Sequence, residues 1–359
     1  MLKTRVWKLA LCSLTLVLLF AGDGILLAQN GGKKSPGGGG GGGSEPPPAG
    51  RIHFLTDGTD ADGNRISVGG SMLADGSGKQ LSELRHPSYL LHGGERWFLD
   101  AVMICLEQDA EGNCSRFTGE IIAARESDGL EIQLTNNPDV FAGVNSRVRW
   151  AKDDSFVSFV GRHDADGDGL MDEDSIFAAG VDFDADGKPF LTAAPVAVTT
   201  HGLDDHLGKF DWSPDATRLV YMLGKKLTSS DPPPVLVVED LLAGTAVPLD
   251  FGRDPEWSPN GSKIAYQWQT DNGNAAGIAT IAPDGTGYVE LTTPDRNTLH
   301  DEKPVWSPDS GHLAFTRVWI SNKGGSTSFF EDILRISATG GKTTNLTEDI
   351  DNAFTLGWR

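Results

Sequence analysis

The 359-residue chain is short of positive charge, of cysteine and of long apolar runs. Its 30 Lys and Arg face 50 Asp and Glu, a formal net charge of −20. Such a surface repels nucleic acid and anionic lipid, and attracts divalent cations or basic partners. There are three cysteines and no paired CxxC motif. No G-x-S-x-G elbow, phosphate loop or Ser-His-Asp order occurs, which leaves a peptidase reading unsupported. Gly63, Gly69 and Gly70 form no nucleotide fingerprint, because no helix pattern follows them. The one apolar run, near the N-terminus, is broken by Asp23 after about 14 residues, fewer than the ~20 of a membrane-spanning helix.

That N-terminal stretch reads as an export signal over residues 1–28. "MLKTRVWK" is a basic head, "LALCSLTLVLLFAG" an apolar stretch, and Ala28 a small residue for cleavage. Residues 29–50 contain "GGKKSPGGGGGGGSEPPPAG". Glycine buries no surface and the proline run resists helix and sheet, so this is a flexible tether. The expected folded unit is therefore 51–359, in a periplasmic or secreted monomer with no membrane span. Loss of Lys3, Arg5, Lys8 and Asp23 with the signal takes the charge from −20 to −22. Cys105 and Cys114 flank the turn-like "DAEGN". They form either a disulfide pinning one hairpin or two buried thiols.

The informative feature is an internal repeat. "FDWSPDATRLVYM" (210–222), "PEWSPNGSKIAYQ" (255–267) and "PVWSPDSGHLAFT" (304–316) align, and "VRWAKDDSFVSFV" (148–160) fits the same frame. "PSYLLHGGERWFL" (87–99) is a weaker copy with Tyr89 in the aromatic slot. The Ser-Pro-Asp-Gly-like residues suit a β-turn, and the short alternating segment after them reads as a strand. "IIAARESDGLEIQLT", "IATIAPDGTGYVELT" and "ILRISATGGKTTNLT" are pairs of strands on tight hairpins. Strand, turn, strand, hairpin, strand is one propeller blade. Five blades start near Tyr89, Trp150, Trp212, Trp257 and Trp306. A sixth is split between the chain ends: "FTLGWR" supplies its innermost strand, "RIHFLTDG" and "ISVGGSMLADGSGKQLSEL" the rest. The expected fold is an all-β, six-bladed β-propeller closed by pairing of the C-terminal strand with N-terminal strands.

The "WSPD(G)…IAF…DG…LT" unit resembles the TolB-type, WD-like β-propeller repeat, also found in relatives of prolyl oligopeptidase. The resemblance covers residues 51–359 and implies six blades around a central channel. The chain departs from TolB in carrying no α/β domain ahead of the propeller, and from the peptidases in carrying no hydrolase domain after it.

Two places have the residues for chemistry. In "DADGDGLMDED", Asp164, Asp166 and Asp168 occupy positions one, three and five of a calcium loop. Gly169 makes the turn, Leu170 offers a carbonyl and Asp172 falls at position nine. The stretch is similar to thrombospondin type-3 and dockerin-type loops, and predicts a structural Ca²⁺. Ser175 stands where the bidentate Glu is usual, which predicts weak affinity. Asp182, Asp184 and Asp186 repeat the spacing, but a hairpin needs Asp and Gly there regardless. The second place is the set of loops leading into innermost strands. His206 and His300 each stand six residues before a repeat tryptophan, with Asp204, Asp205, Asp301 and Asn352 close by and His86 near Tyr89. In a propeller these loops gather at one mouth of the channel. They are expected to bind a protein or glycan partner; the alternative is a metal-dependent polysaccharide lyase or hydrolase using His206 and His300.

Overall fold

The structure, a computed structural model, describes residues 50–59, 65–82, 89–108, 114–136, 140, 148–164, 167, 173–199, 201–202, 205–225, 233–269, 275–293, 299–323, 326–350 and 352–358. The export signal, the tether as far as residue 49, and Asp166, Asp168, Leu170, Asp172, His86 and Asp204 lie outside the described residues.

The regular structure among the described residues is entirely strand. Strands β1 (Arg51–Thr59), β2 (Arg65–Leu73) and β3 (Gln80–Ser82) pair antiparallel in chain order. So do β4 (Tyr89–His92), β5 (Glu95–Gln108), β6 (Cys114–Arg125) and β7 (Glu131–Gln133). Next come β8 (Val148–Trp150), β9 (Phe156–His163), β10 (Glu173–Phe183) and β11 (Pro189–Leu191), with β12 (Val196–Ala197) also on β10. A longer sheet holds β13 (Asp205–Trp212), β14 (Arg218–Lys225), β15 (Val235–Asp240), β16 (Thr245–Trp257), β17 (Ile264–Gln269), β18 (Ala275–Ile281) and β19 (Val289–Glu290). The last sheet is β20 (Leu299–Trp306), β21 (His312–Lys323), β22 (Ser326–Ser337) and β23 (Thr344–Asn345). Finally β24 (Phe354–Trp358) returns to β1, with Ile52 opposite Trp358 and Leu55 opposite Phe354.

Successive antiparallel sheets in chain order, with the last strand entering the first sheet, are a β-propeller arrangement. The separate units expected from the repeat appear as five hydrogen-bonded sheets. The reason is β16: residues 245–251 pair with β15 as an outer strand, and 252–257 pair with β17 as an inner one. Gly252 sits at this changeover. A Cβ there would lie 2.6 Å from the Tyr266 ring and 2.8 Å from the Gln267 carbonyl, so only glycine admits the crossing.

Local chemistry explains the repeat. At the Ser-Pro-Asp turn the Ser213 hydroxyl donates to Asp215 Oδ1 at 2.6 Å and accepts the Arg218 amide at 2.9 Å. Ser258 with Asn260, and Ser307 with Asp309, do the same. Each repeat tryptophan then packs on the strands of the preceding repeat. Trp150 lies on Leu99 and Ile121, Trp212 on Phe156 and Ile176, and Trp257 on Val220 and Leu236. Likewise Trp306 lies on Ala265 and Ile278, and Trp358 on Val305, Ala314 and Ile333. The apolar C-terminus is thus core: its strand belongs to the first sheet and its indole to the last.

Alternating strand direction sorts the connections into two faces. The Ser-Pro-Asp turns and the outer hairpins occupy one. The β1–β2, β5–β6, β9–β10, β14–β15, β17–β18 and β21–β22 connections share the other with the segments leading into β8, β13, β20 and β24. Along most of these sheets the second and third strands are the longest, which makes this second face the projecting one.

Candidate functional site on the hairpin-bearing face

His206, His300 and Asn352 each precede their tryptophan by six residues, and the shared strand direction brings all three to the hairpin-bearing face. Their surroundings differ. His206 stands at the start of β13 and its Nδ1 lies 3.2 Å from Asp174 Oδ2 on the neighbouring sheet. Asp174 is buried, and also accepts the Leu207 amide at 3.3 Å and Arg162 Nε at 3.3 Å. Burial favours its neutral form, but the His206 and Leu207 hydrogen bonds and the Arg162 charge outweigh that and hold its carboxyl below the usual range. Beside it, Asp205 pairs with Lys225 at 2.5 Å and accepts the Gly202 amide. Its carboxyl is lowered in the same way, burial being overcome by the Lys225 ammonium. His201, edge-on to Tyr221, is pushed down by burial, against the pull of Asp205 and Asp174. A further histidine, His163, has Nε2 2.7 Å from the buried Ser175 hydroxyl.

On the last sheet, His300 Nε2 is 3.6 Å from Glu302, which Lys303 also reaches at 2.8 Å. Burial would raise Glu302, yet the His300 hydrogen bond and the Lys303 ammonium bring it down to about 2. Asn352, with a left-handed φ of 50°, donates from Nδ2 to Asp57 at 2.8 Å. Asp301 is different in kind. It is wholly buried, its carboxylate takes Arg317 at 2.6 and 2.8 Å, and its carbonyl accepts Gln267 Nε2. It is turned inward to Arg317 and is not exposed at this face. His206 and His300 therefore stand on different sheets and meet different carboxylates. Among the described residues no three His, Cys, Asp or Glu side chains form a group suited to a metal ion.

Of the acidic loop between β9 and β10, Asp164 is described: its Oδ1 accepts the Gly167 amide at 2.6 Å, an Asx-type turn. In the second acidic stretch Asp184 Oδ1 accepts the amides of Asp186 and Lys188, both at 2.9 Å, so this carboxylate shapes the β10–β11 turn. Cys105 and Cys114 are joined as a disulfide across β5 and β6, with Cα atoms 5.7 Å apart.

A polar cluster that the repeat reading passed over lies on the innermost strands. The residue before the repeat tryptophan is Arg149, Asp211 and Glu256 in three successive copies. Asp211, buried, takes Arg149 at 3.3 Å and Lys152 at 2.9 Å, and accepts the Trp257 amide at 2.8 Å. Lys152 continues to the Trp257 carbonyl at 3.1 Å, reaching past one repeat to the next. Burial and the Asp211 charge push Glu256 up to about 7, against the pull of Arg149 and Lys152. The legible signal was a charged residue directly before a core tryptophan. Among the described residues no helix is long and apolar enough to cross a membrane.

No protein-family model matches the sequence, and no curated protein matches it. Solved structures are similar in architecture. A protein assigned as TolB from Agrobacterium tumefaciens is 12% identical, with 86% of this chain and 98% of that one covered, at a TM-score of 0.46. An oligogalacturonate lyase in complex with manganese is 14% identical, with 74% and 70% covered, at 0.41. The β-propeller domain of the trilobed protease from Pyrococcus furiosus is 10% identical, with 84% and 93% covered, at 0.39. The propeller arrangement of this chain rests on its own strand pairing.

Proposed function

We propose that this chain is an exported, non-catalytic six-bladed β-propeller that holds a protein or glycan partner on its hairpin-bearing face. The six blades count β16 twice, once as an outer and once as an inner strand, and the β24–β1 pairing closes the ring. One observation carries the reading: the two faces are chemically unlike. The far face is tight turns whose polar groups are satisfied within the turn, as at Ser213–Asp215 and Ser307–Asp309. The near face brings together His206, His300, Asn352, the disulfide hairpin and the Asp164 loop, on a chain of net charge −20. A rigid rim of half-exposed polar groups from several blades suits recognition, because a framework that is already ordered lowers the entropic cost of binding. Calcium held by Asp164, Asp166, Asp168, Leu170 and Asp172 braces one blade of that face.

The test places photo-cross-linkers at Asp205 and His300 on the near face and at Asp240 and Asp284 on the far face of the exported protein. Adducts confined to the near-face positions are expected. Equal adducts from both faces would refute the reading. Depolymerisation of an acidic polysaccharide that is lost in both His206→Ala and His300→Ala would replace it with a metal-dependent lyase or hydrolase.

A further inference from the structure

The hairpin of β21 and β22 is longer than its blade requires. Its pairing runs unbroken from His312 opposite Ser337 to Lys323 opposite Ser326. The inner neighbour β20 begins pairing only at Leu299, opposite Trp319. The four rows from Ile320 to Lys323 therefore project past the innermost strand, by about 13 Å at ~3.3 Å per residue. At the root of this projection Trp319 and Phe330 oppose each other in register and stack, with ring centroids 4.7 Å apart and planes at 25°. Asp332 Oδ2 accepts Trp319 Nε1 at 3.2 Å and fixes the indole. Phe330 is 37% exposed.

Four aromatic rings elsewhere carry one of the chain's own cations. Arg125 lies 5.4 Å over Trp97, Arg218 4.9 Å over Trp257, Lys303 4.4 Å over Phe354 and Arg317 5.8 Å over Phe315. No lysine or arginine among the described residues covers the Trp319–Phe330 pair. The rings meet a carboxylate at the indole edge, on a chain whose net charge of −20 draws basic partners. A ring face beside a carboxylate is the arrangement that takes an ammonium or guanidinium group.

We infer that the Trp319–Phe330 pair is the docking platform for a cationic polypeptide, with a lysine or arginine of the partner over the rings and Asp332 at their edge. This rests on the binding reading above and names the partner's chemistry. The test titrates the full chain at ~0.15 M salt, where diffuse surface attraction is largely screened, with labelled octalysine, with the same peptide fully acetylated, and with maltohexaose. Octalysine is expected to bind and the acetylated peptide to fail. Trp319→Ala and Phe330→Ala should each weaken octalysine by about five- to tenfold, the scale of a partly desolvated cation–ring contact. Trp319→Phe, which keeps a ring, should retain most of the binding and so separates a lost contact from a lost fold. No binding of octalysine to the unaltered chain would overturn the inference. So would an Asp284→Asn change on the far face that costs as much as Asp332→Asn, or maltohexaose binding that Trp319→Ala abolishes. Unchanged octalysine binding in the ring variants, with near-face cross-links intact, would overturn this inference alone and leave the broader reading standing.

Discussion

Replacing Trp358 by alanine tests how the ring is held shut. The indole is 6% exposed and belongs to a cluster with Ile52, Phe54 and Met72 of the first sheet and Val305, Ala314 and Ile333 of the last. A buried tryptophan removes roughly 200 Å² from water, which at ~25 cal/mol per Å² is about 5 kcal/mol. Large-to-small substitutions of core aromatics cost about 3–5 kcal/mol, so the two routes agree near 4. An unfolding entropy of about 2.1 cal/mol/K per residue over roughly 300 residues converts that into a drop of about 6 °C in Tm. Removing residues 354–359 should do more, because it also deletes the pairing of β24 with β1. It likewise removes Thr355, which is buried, donates its amide to Thr316 Oγ1 at 2.9 Å and donates its hydroxyl to the Lys303 carbonyl at 2.6 Å. The edge of β1 would then be open to pairing with another copy. Circular dichroism melts and light scattering read both effects. If Trp358→Ala melts within about 1 °C of the unaltered protein, Trp358 does not hold the ring and the argument fails.

Three further outcomes are expected. Trp212 Nε1 donates to Ser158 Oγ at 3.0 Å, while the equivalent Trp257 Nε1 is buried without a partner, and Val220 stands where the preceding copy has Ser158. Val220→Thr, nearly the same shape, should stabilise by about 1 kcal/mol; a lower denaturation midpoint in urea would show that the hydroxyl does not reach. Glu256 rises from the ordinary 4.5 to about 7, so the folded state holds its proton more tightly than the unfolded one. Its contribution to stability is then full below about pH 4.5 and is lost as pH rises towards 7, and Glu256→Gln should flatten the stability curve across that window. An unchanged slope between the two proteins would count against it. Millimolar calcium should raise the melting temperature relative to chelator, by an amount approaching 2.7 kcal/mol at a hundredfold excess over a Kd of about 10⁻⁴–10⁻³ M. Asp168→Ala should remove the effect and Asp184→Ala preserve it; superimposed melts with and without calcium would dismiss the site.

Much of this molecule is local, and what is local was legible in the residues. The Ser-Pro-Asp turn closes its own hydrogen bonds within six residues, from Ser213 to Arg218, so its signature survives in every copy that keeps those side chains. The short β-branched or aromatic segment after each turn marks a strand, and a tryptophan near the C-terminus announced that the tail enters the core. What no single repeat encodes is how neighbouring repeats face one another. Asp211 joins Arg149, Lys152 and Trp257, and Lys152 meets a carbonyl 105 residues away. Those contacts follow from the way successive repeats are set side by side, and the pattern within a copy is silent about them. The same holds for the mouth. The spacing to the tryptophans put His206, His300 and Asp301 on one rim, but strand register decided that His206 meets Asp174, His300 meets Glu302, and Asp301 turns inward to Arg317. Sequence set which end of its strand each of these residues occupies, because strand direction alternates with a fixed period; tertiary structure decided which of them are exposed, because burial depends on the sheet next door.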